Sequence, residues 1–360
     1  MPERKRRLTI RDVAREAGVS PATVSSWING HQYGIAPATS DVVARTVERL
    51  GYRPSTLARG LRAHTSHAIG VIVASVANPS AAAIVRGAED RASSAGYSLL
   101  LSNVDRHWER ALELTQVMID RGVDGIAYVF SVSGAAHPAV EAARQAGVRV
   151  GLILPLDDAS SDGNTTVALD NRSAMHQAAE LLWNLGHRRV AYAMTSLSTT
   201  NGWDRRIWLG AALEGHGVEL TDDLVYVDPV IGGLDETDEI ECGRRAAMVL
   251  LGRPNRPTAV CAGNDLIAIG LVRGARDLGL VVPKDISIVG FDDLAMASIV
   301  EPPLTTLAVP RYELGRAVVD RLVDESSAAR PRVVVRPILV VRASTAEAPA
   351  LPQPTFLRQP

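Results

Sequence analysis

Hydrophobic and polar positions divide the chain into a short helical head and a long body. In the body, short apolar runs typical of buried strands alternate with amphipathic stretches of helical period. The predicted strands are Ala68–Val73, Ser98–Leu101, Gly125–Val129, Val148–Leu152, Val190–Met194, Ala259–Ala262 and Ile286–Gly290. Predicted helices lie between them, for example over 81–95, 108–121, 137–146, 172–185, 241–251 and 265–278. This alternation predicts parallel, doubly wound sheets with ligands at the carboxyl ends of the strands.

The body is too long for one such sheet, so we expect two similar lobes with a cleft between them. No glycine-rich phosphate-binding turn follows the first strand, which argues against a nucleotide site. The tail from Ala346 onward is rich in proline and glutamine and is predicted to be disordered.

The head contains a pattern typical of a helix-turn-helix module. Over residues 9–29 it predicts two short helices joined by a tight turn. Thr9 and Asp12 have the spacing of a capping box, Ser20 can cap the second helix, and Pro21 suits its first position. A plain amphipathic helix pair would show a similar period. The second helix turns small and hydrogen-bonding side chains outward, where they can approach base edges and phosphates: Ala22, Ser25, Ser26 and Asn29.

A third helix is predicted over 38–50, ending at Gly51, and a hinge helix is predicted to start at Ser55. The hinge helix spans about two turns, which is marginal in water, and Gly60 costs it roughly 1 kcal/mol against alanine. We therefore expect it to fold only when DNA and a partner chain support it. A plain linker is the alternative.

Charge is distributed unevenly along the chain. Residues 1–62 hold 11 lysines and arginines against 5 aspartates and glutamates, although the whole chain has a formal net charge of −2. A basic head on an acidic body fits a nucleic-acid-binding module joined to another domain. Cys242 and Cys261 give neither a disulfide framework nor metal-ligand spacing. No secretory signal or membrane span is visible, so we expect a cytoplasmic protein.

Two other function classes fit less well. A solute-binding protein for transport would need a signal peptide and no DNA-binding head. An enzyme would need a nucleophile, base and orienting group, and no such set surrounds His187 or the pair Asp292–Asp293 in the sequence. We therefore expect no enzyme activity.

Several motifs together resemble the lactose/galactose-repressor family of transcription regulators, over about residues 8–345. They are Thr9–Asn29, Gly51–Pro54, Ile69–Val71, Asn78–Pro79, Gly186–Arg189, Asn264–Asp265, Val289–Asp293 and Pro303–Thr306. The resemblance implies a three-helix DNA-binding head and a core like a periplasmic sugar-binding protein. It also implies a homodimer on a palindromic operator, no cofactor, and a small effector, by default a sugar or sugar-like molecule. Repression is the main expectation, while activation, dual regulation and effector-independent repression remain alternatives.

The resemblance further assigns residues to DNA and to the effector. Residues matching phosphate-positioning side chains are Thr9, Ser20, Thr23, Ser25 and Asn29. Pro21 and Ala22 match base-reading positions, and Leu61 matches a hinge leucine that wedges into the minor groove. Ser26 stands where the family usually has an arginine that reads guanine. Residues matching effector-binding positions are Asn78, Asn201, Arg205, Asn264 and Asp292, although Arg206 leaves the register of the arginine open.

The pocket departs from the family pattern by being less polar and less aromatic. Ser80, Ala81 and Ala82 follow Asn78–Pro79, where aromatic residues are frequent, and Val129 replaces a frequent polar group. These departures favour a ligand with fewer hydroxyl groups.

The predicted domains are a head over 1–53, a hinge helix and linker over 54–66, a core over 67–345 and a tail over 346–360. Within the core, the first lobe is expected over about 67–166 and 304–333. The second lobe is expected over about 167–303 and 334–345. No C-terminal leucine heptad is visible, which favours a dimer over a tetramer.

Overall fold

A computed structural model of the chain describes residues 8–28, 30, 34–52, 66–105, 107, 109–130, 137–158, 166–195, 200–229, 236–324 and 333–349. The chain divides into two compact units, residues 1–66 and 67–360. Among the described helices, none is both long and apolar enough to cross a membrane. Asn29 and the expected hinge helix, with Leu61, lie outside the described residues.

The first unit contains the three expected helices, α1 (Ile10–Ala17), α2 (Pro21–Ile28) and α3 (Pro37–Leu50). All three contribute to its small core, whose buried members are Val13, Ala14, Val24 and Val43. The Asp12 carboxylate caps α1 by accepting from the Thr9 amide at 2.9 Å and the Thr9 hydroxyl at 2.7 Å. The Ser20 hydroxyl caps α2 by accepting from the Thr23 amide at 3.1 Å. Gly18 reverses the chain between the two helices with a φ of +68°.

The second unit alternates strands and helices, as the sequence predicts. In chain order they are β1 (Ala68–Val73), α4 (Pro79–Ser94), β2 (Ser98–Asn103), α5 (Arg110–Asp120), β3 (Gly125–Val129), α6 (Pro138–Gln145), β4 (Arg149–Pro155), β5 (Thr166–Leu169), α7 (Asn171–Asn184), β6 (Val190–Thr195), α8 (Thr200–Glu214), β7 (Val225–Asp228), α9 (Glu236–Leu251), β8 (Ala259–Ala262), α10 (Asp265–Asp277), β9 (Ser287–Asp292), β10 (Thr305–Ala308), α11 (Arg311–Val323), β11 (Val333–Val335) and β12 (Ile338–Val340). The central strands are buried on both faces, which explains their nearly continuous apolar sequence.

The strands form two six-stranded sheets, one for each lobe. The first has the order β11-β5-β4-β3-β1-β2 and the second the order β12-β10-β9-β8-β6-β7. Every described pair is parallel except β10 with β12. In the first sheet β1 lies between β2 and β3, and in the second sheet β6 lies between β7 and β8. The strand order therefore changes direction at β1 and at β6. Such switch points open a crevice beyond the carboxyl ends of the strands.

Two predicted lobe boundaries are corrected by the strand pairing. The sequence starts the second lobe at about residue 167, but β5 pairs with β4 and extends the first sheet to Leu169. The sequence also assigns residues 304–333 to the first lobe, but β10 pairs with β9 in the second sheet. The chain therefore crosses between the lobes after β5, after β10 and after β11.

The start of the tail packs against the second lobe. The buried His187 ring donates from Nε2 to the Ala346 carbonyl at 3.1 Å and pairs through Nδ1 with the Thr258 hydroxyl at 2.9 Å. The Ala348 amide donates to the Leu185 carbonyl at 2.7 Å. The prediction that disorder begins at residue 346 is therefore wrong for residues 346–349, and residues 350–360 lie outside the described part.

Candidate functional site

The predicted DNA-facing residues of the head lie on and around α2. Pro21 and Ala22 are exposed, while Thr23, Ser25 and Ser26 are half-buried. Ser20 and Thr9 are exposed at the starts of α2 and α1. Helix N-termini and hydroxyl groups are common phosphate-binding groups. Because these side chains are all short, α2 must come close to the base edges if it is to read them.

In the second unit, all five predicted effector residues line one cavity of about 180 Å³: Asn78, Asn201, Arg205, Asn264 and Asp292. The cavity lies beyond the carboxyl ends of strands from both lobes. Ser75 follows β1 and Phe130 follows β3 in the first lobe, while Asn264 follows β8 in the second. This is the position that the switch points of the two sheets favour for a ligand.

The two walls of the cavity differ in polarity. The first-lobe wall is largely aliphatic, with Ala74, Ala81, Ile84, Val129, Ile153, Leu169 and Leu314. Four of the five predicted polar residues belong to the second lobe. Phe130 is the one aromatic side chain among the described lining residues. The cavity therefore suits a molecule with one apolar face and one polar edge.

Arg205, on α8, is held on three sides. Its Nη1 donates to the Gly263 carbonyl at 2.7 Å, and its Nε donates to the Asn171 Oδ1 at 3.2 Å. Its guanidinium carbon lies 3.5 Å from the centre of the Phe291 ring. Burial lowers the pKa of Arg205 and the charge of Asp292 opposes that effect, and an arginine remains charged in such surroundings.

The neighbouring Arg206 does not line the cavity. Its Nη2 lies 3.2 Å from an Oδ1 of Asp222, an aspartate at the protein surface. Successive residues of a helix point about 100° apart, so only one of two adjacent arginines can face the cleft. Of the two arginines between which the sequence leaves the register open, Arg205 is the one that lines the cavity.

Asn78 and Asn264 each begin a helix. The Asn78 Oδ1 accepts from the Ser80 amide at 2.8 Å, and the Asn264 Oδ1 accepts from the Ile267 amide at 2.9 Å. Their Nδ2 groups both approach Glu239, at 3.5 Å and 2.9 Å respectively. Each asparagine thus uses its oxygen as a helix cap and directs its Nδ2 donor to the Glu239 carboxylate.

Asp292 ends β9 in an uncommon backbone conformation. Its φ is +117° and that of Asp293 is +55°, and such conformations cost about 1–3 kcal/mol each in non-glycine residues. Arg311, at the start of α11, donates to both of their carbonyl oxygens, to that of Asp293 at 3.0 Å. Burial raises the pKa of the Asp292 carboxyl group, while Arg205 and Arg311 lower it.

Three residues of the site are missed by the sequence analysis. Asn171 donates to Asn201 at 3.0 Å while accepting from Arg205. It follows β5 closely and begins a helix, which is a signal that could have found it. Glu239 lies within a helix and Arg311 starts one, and neither carries a local signal. In the described part of the chain, no group of three or more His, Cys, Asp or Glu side chains is arranged to hold a metal ion.

Known proteins resemble this chain over nearly its whole length. Residues 9–55 match the lacI family of bacterial regulatory proteins, and residues 179–345 match a periplasmic binding protein-like domain. Catabolite control protein A of Priestia megaterium is 35% identical over 319 residues, covering 88% of this chain and 92% of that protein. The ribose operon repressor of Escherichia coli (strain K12) is 32% identical over 342 residues, covering 93% and 99%.

A solved structure gives the same result for the fold. The Lac repressor dimer bound to operator and the anti-inducer ONPF matches with a TM-score of 0.81 and 26% identity, covering 95% of this chain and 100% of that one. The resemblance drawn from the sequence motifs is thereby confirmed, as are the helix-turn-helix head and the two-lobed core. The protein is a DNA-binding transcription regulator rather than an enzyme, and it belongs to the lacI family of bacterial regulatory proteins.

Proposed function

We propose that the protein is a repressor that binds a palindromic operator as a homodimer, and that a small effector in the interlobe cavity changes its operator affinity. One observation carries the effector part of this proposal. The five residues assigned from the sequence are spread from residue 78 to residue 292, yet they line a single cavity. The solved Lac repressor, a dimer on its operator, supports the homodimer and the DNA partner.

The cavity has the geometry that such regulation needs. A ligand shifts an equilibrium only if it binds two conformations with different affinities, and typical coupling energies are about 1–3 kcal/mol. Its walls come from two lobes joined by three chain crossings. The affinity of a ligand that contacts both walls therefore depends on the relative position of the two lobes.

The effector that fits best is a neutral, ring-sized molecule, a sugar or sugar-like compound with few hydroxyl groups. A cavity of about 150 Å³ is enough to hold benzene, and this one measures about 180 Å³. Arg205 and Asp292 line the cavity with opposite charges, and Arg311, which also lines it, donates to the carbonyl oxygens of Asp292 and Asp293. The aliphatic first-lobe wall suits a face without hydroxyls. The ribose operon repressor, by its name, points to a sugar as the default class.

The DNA contacts that we propose follow the family pattern. Hydroxyl groups of the head would position phosphates: those of Thr9, Ser20, Thr23 and Ser25, with the Asn29 amide. Pro21 and Ala22 would contact base edges, and Leu61 would wedge into the central step of the operator. Activation or dual regulation is the alternative outcome, and the same operator binding would serve it. We place the protein in the cytoplasm, where its DNA partner lies.

A ligand screen with matched arginine variants tests the effector proposal. The full-length protein, Arg205→Ala and Arg206→Ala would each be melted with neutral pentoses, hexoses, deoxysugars and sugar phosphates. A ligand at 100 times its Kd stabilises a protein by about 2.7 kcal/mol. We expect one compound to raise the Tm of the wild type and Arg206→Ala but not of Arg205→Ala. Equal stabilisation of all three would place the site elsewhere, and no stabilising compound would exclude these ligand classes.

A further inference from the structure

A carboxylate of the second lobe contacts the first lobe directly across the cleft. Glu239, on α9, is only 6% exposed. One of its oxygens lies 2.9 Å from the Nδ2 of Asn264 in its own lobe and 3.5 Å from the Nδ2 of Asn78 in the other. The sequence analysis gives this residue no role, and the effector proposal does not use it.

The direction of the Asn78 amide follows from its place in the chain. Its oxygen caps α4 at the Ser80 amide, so its nitrogen must point away from that helix. At this end of α4 the helix dipole also favours a negative charge. A buried carboxylate needs hydrogen-bond donors to offset its lost hydration. Glu239 obtains one donor from each lobe.

A second set of contacts joins the lobes beside the same cavity. Burial raises the pKa of Asp292, in the second lobe, while Arg205, Arg311 and, least, a hydrogen bond from Ser80 of the first lobe lower it. Arg311, also in the first lobe, donates to the carbonyl oxygens of Asp292 and Asp293. The first turn of α4 thus meets two carboxylates of the opposite lobe, through Asn78 and through Ser80.

We propose that Asn78 and Glu239 are positioning residues that form a latch between the lobes and hold the cleft closed through contacts of the protein alone. A molecule that enters the cavity must then either fit the latched cleft or break the latch. The latch adds a contact between the lobes to the proposed effector site, and its role in regulation rests on that proposal. The latch itself can be tested without any ligand, so the two proposals can fail separately.

Distance measurements between spin labels on the two lobes test the latch. Labels would be placed at Gln145→Cys and Glu219→Cys, both exposed positions. The native Cys242 and Cys261 are buried, and burial raises the pKa of both thiols, which keeps them unreactive. Labelled full-length protein would be mixed with excess unlabelled protein, so that distances within one protomer dominate.

The informative variant is Asn78→Asp. It keeps an oxygen that can cap α4 but replaces the donor with a second carboxylate oxygen facing Glu239, and like charges at this range repel. Glu239→Gln, combined with it, restores a donor to the pair. Glu241→Gln, on the same helix and paired with Arg244 at 2.8 Å, is the matched control.

We expect a single short distance in the wild type and in the Glu241→Gln control. Asn78→Asp should move most molecules to a longer distance, and the double variant should return most of them to the short one. An Asn78→Asp distance equal to that of the wild type would overturn the latch. So would a double variant as open as Asn78→Asp, because the effect would then not depend on Glu239.

Discussion

The guanidinium carbon of Arg205 lies 3.5 Å from the centre of the Phe291 ring, and this stacking orients the cation that lines the cavity. Phe291 is fully buried in β9, so the ring is a fixed support. The Gly263 carbonyl and the Asn171 side chain fix the rotation of the guanidinium within that plane. A polar group held in place before binding loses little side-chain entropy when a ligand arrives.

We predict that Asn171→Ala weakens effector binding about tenfold, because Arg205 loses one of the bonds that orient it, at about 1–1.5 kcal/mol. The Kd would be measured by calorimetry with the compound that best stabilises the wild type. Asn184→Ala, at the exposed end of the same helix α7, is the control and should bind like the wild type. An unchanged Kd in Asn171→Ala would show that Arg205 needs no such support.

The contrast between Arg205 and Glu239 shows what the sequence can predict of the site. Arg205 is assigned from the family resemblance, and Asn264 belongs to one of its motifs and follows a strand, where the strand ends gather at one edge of a parallel sheet. Glu239 stands within a helix, where the direction of a side chain depends on how that helix packs. Its partner Asn78 is 161 positions away in sequence. A contact across that separation is visible only in the folded chain.

The fold, like the site, has parts that the sequence predicts and parts that it does not. Alternating apolar runs predict most of the core strands because a buried parallel strand needs such a run. The short strands β5, β7, β10, β11 and β12 are not among the predicted strands, because a run of three or four residues rarely identifies a strand or the sheet that it joins. The strands with which such a strand pairs decide that, and β10 pairs with β9 and β12 in the second sheet. The lobe boundaries were therefore the least predictable part of the core.

Acidification should destabilise the fold through the buried side chain of His187. Burial lowers the pKa of His187 in the folded protein, whereas in the unfolded chain it is about 6.5. Neutral His187 therefore contributes stability that is present above pH 6.5 and lost as the pH falls through its folded pKa. The Tm difference between the wild type and His187→Gln should be largest at pH 8 and smaller at pH 5.

The control for this experiment is His176→Gln, which removes an exposed histidine on α7. Its Tm difference from the wild type should stay small at both pH values. A Tm difference between the wild type and His187→Gln that is larger at pH 5 than at pH 8 would contradict this prediction. It would mean that protonation of the buried ring does not destabilise the folded protein.

An arginine in place of Ser26 should change which bases the head prefers. A bidentate arginine contact to guanine is worth about 1–3 kcal/mol of discrimination. We expect Ser26→Arg to acquire a guanine preference at one position of each half-site, measured by selection from random duplexes. Ala38→Arg adds the same charge at an exposed position of α3 and should only raise binding to all duplexes. Identical selected motifs from Ser26→Arg and the wild type would place Ser26 away from the bases.

The hinge prediction can be tested through Leu61. Leu61→Ala removes an apolar wedge but no charge, so it should lower operator affinity at least tenfold and leave binding to random duplex nearly unchanged. Both affinities would be measured by fluorescence anisotropy at one fixed salt concentration. An equal loss on operator and random duplex would contradict the wedge.

The central claim is that this protein regulates transcription by reading a two-fold symmetric DNA site. The most direct test is selection of bound duplexes from a random pool by the full-length protein, followed by sequencing. We expect a palindrome whose central step is an easily kinked pyrimidine–purine pair, as a symmetric dimer with a minor-groove wedge requires. Enriched duplexes without two-fold symmetry, or no enrichment above the starting pool, would contradict the account.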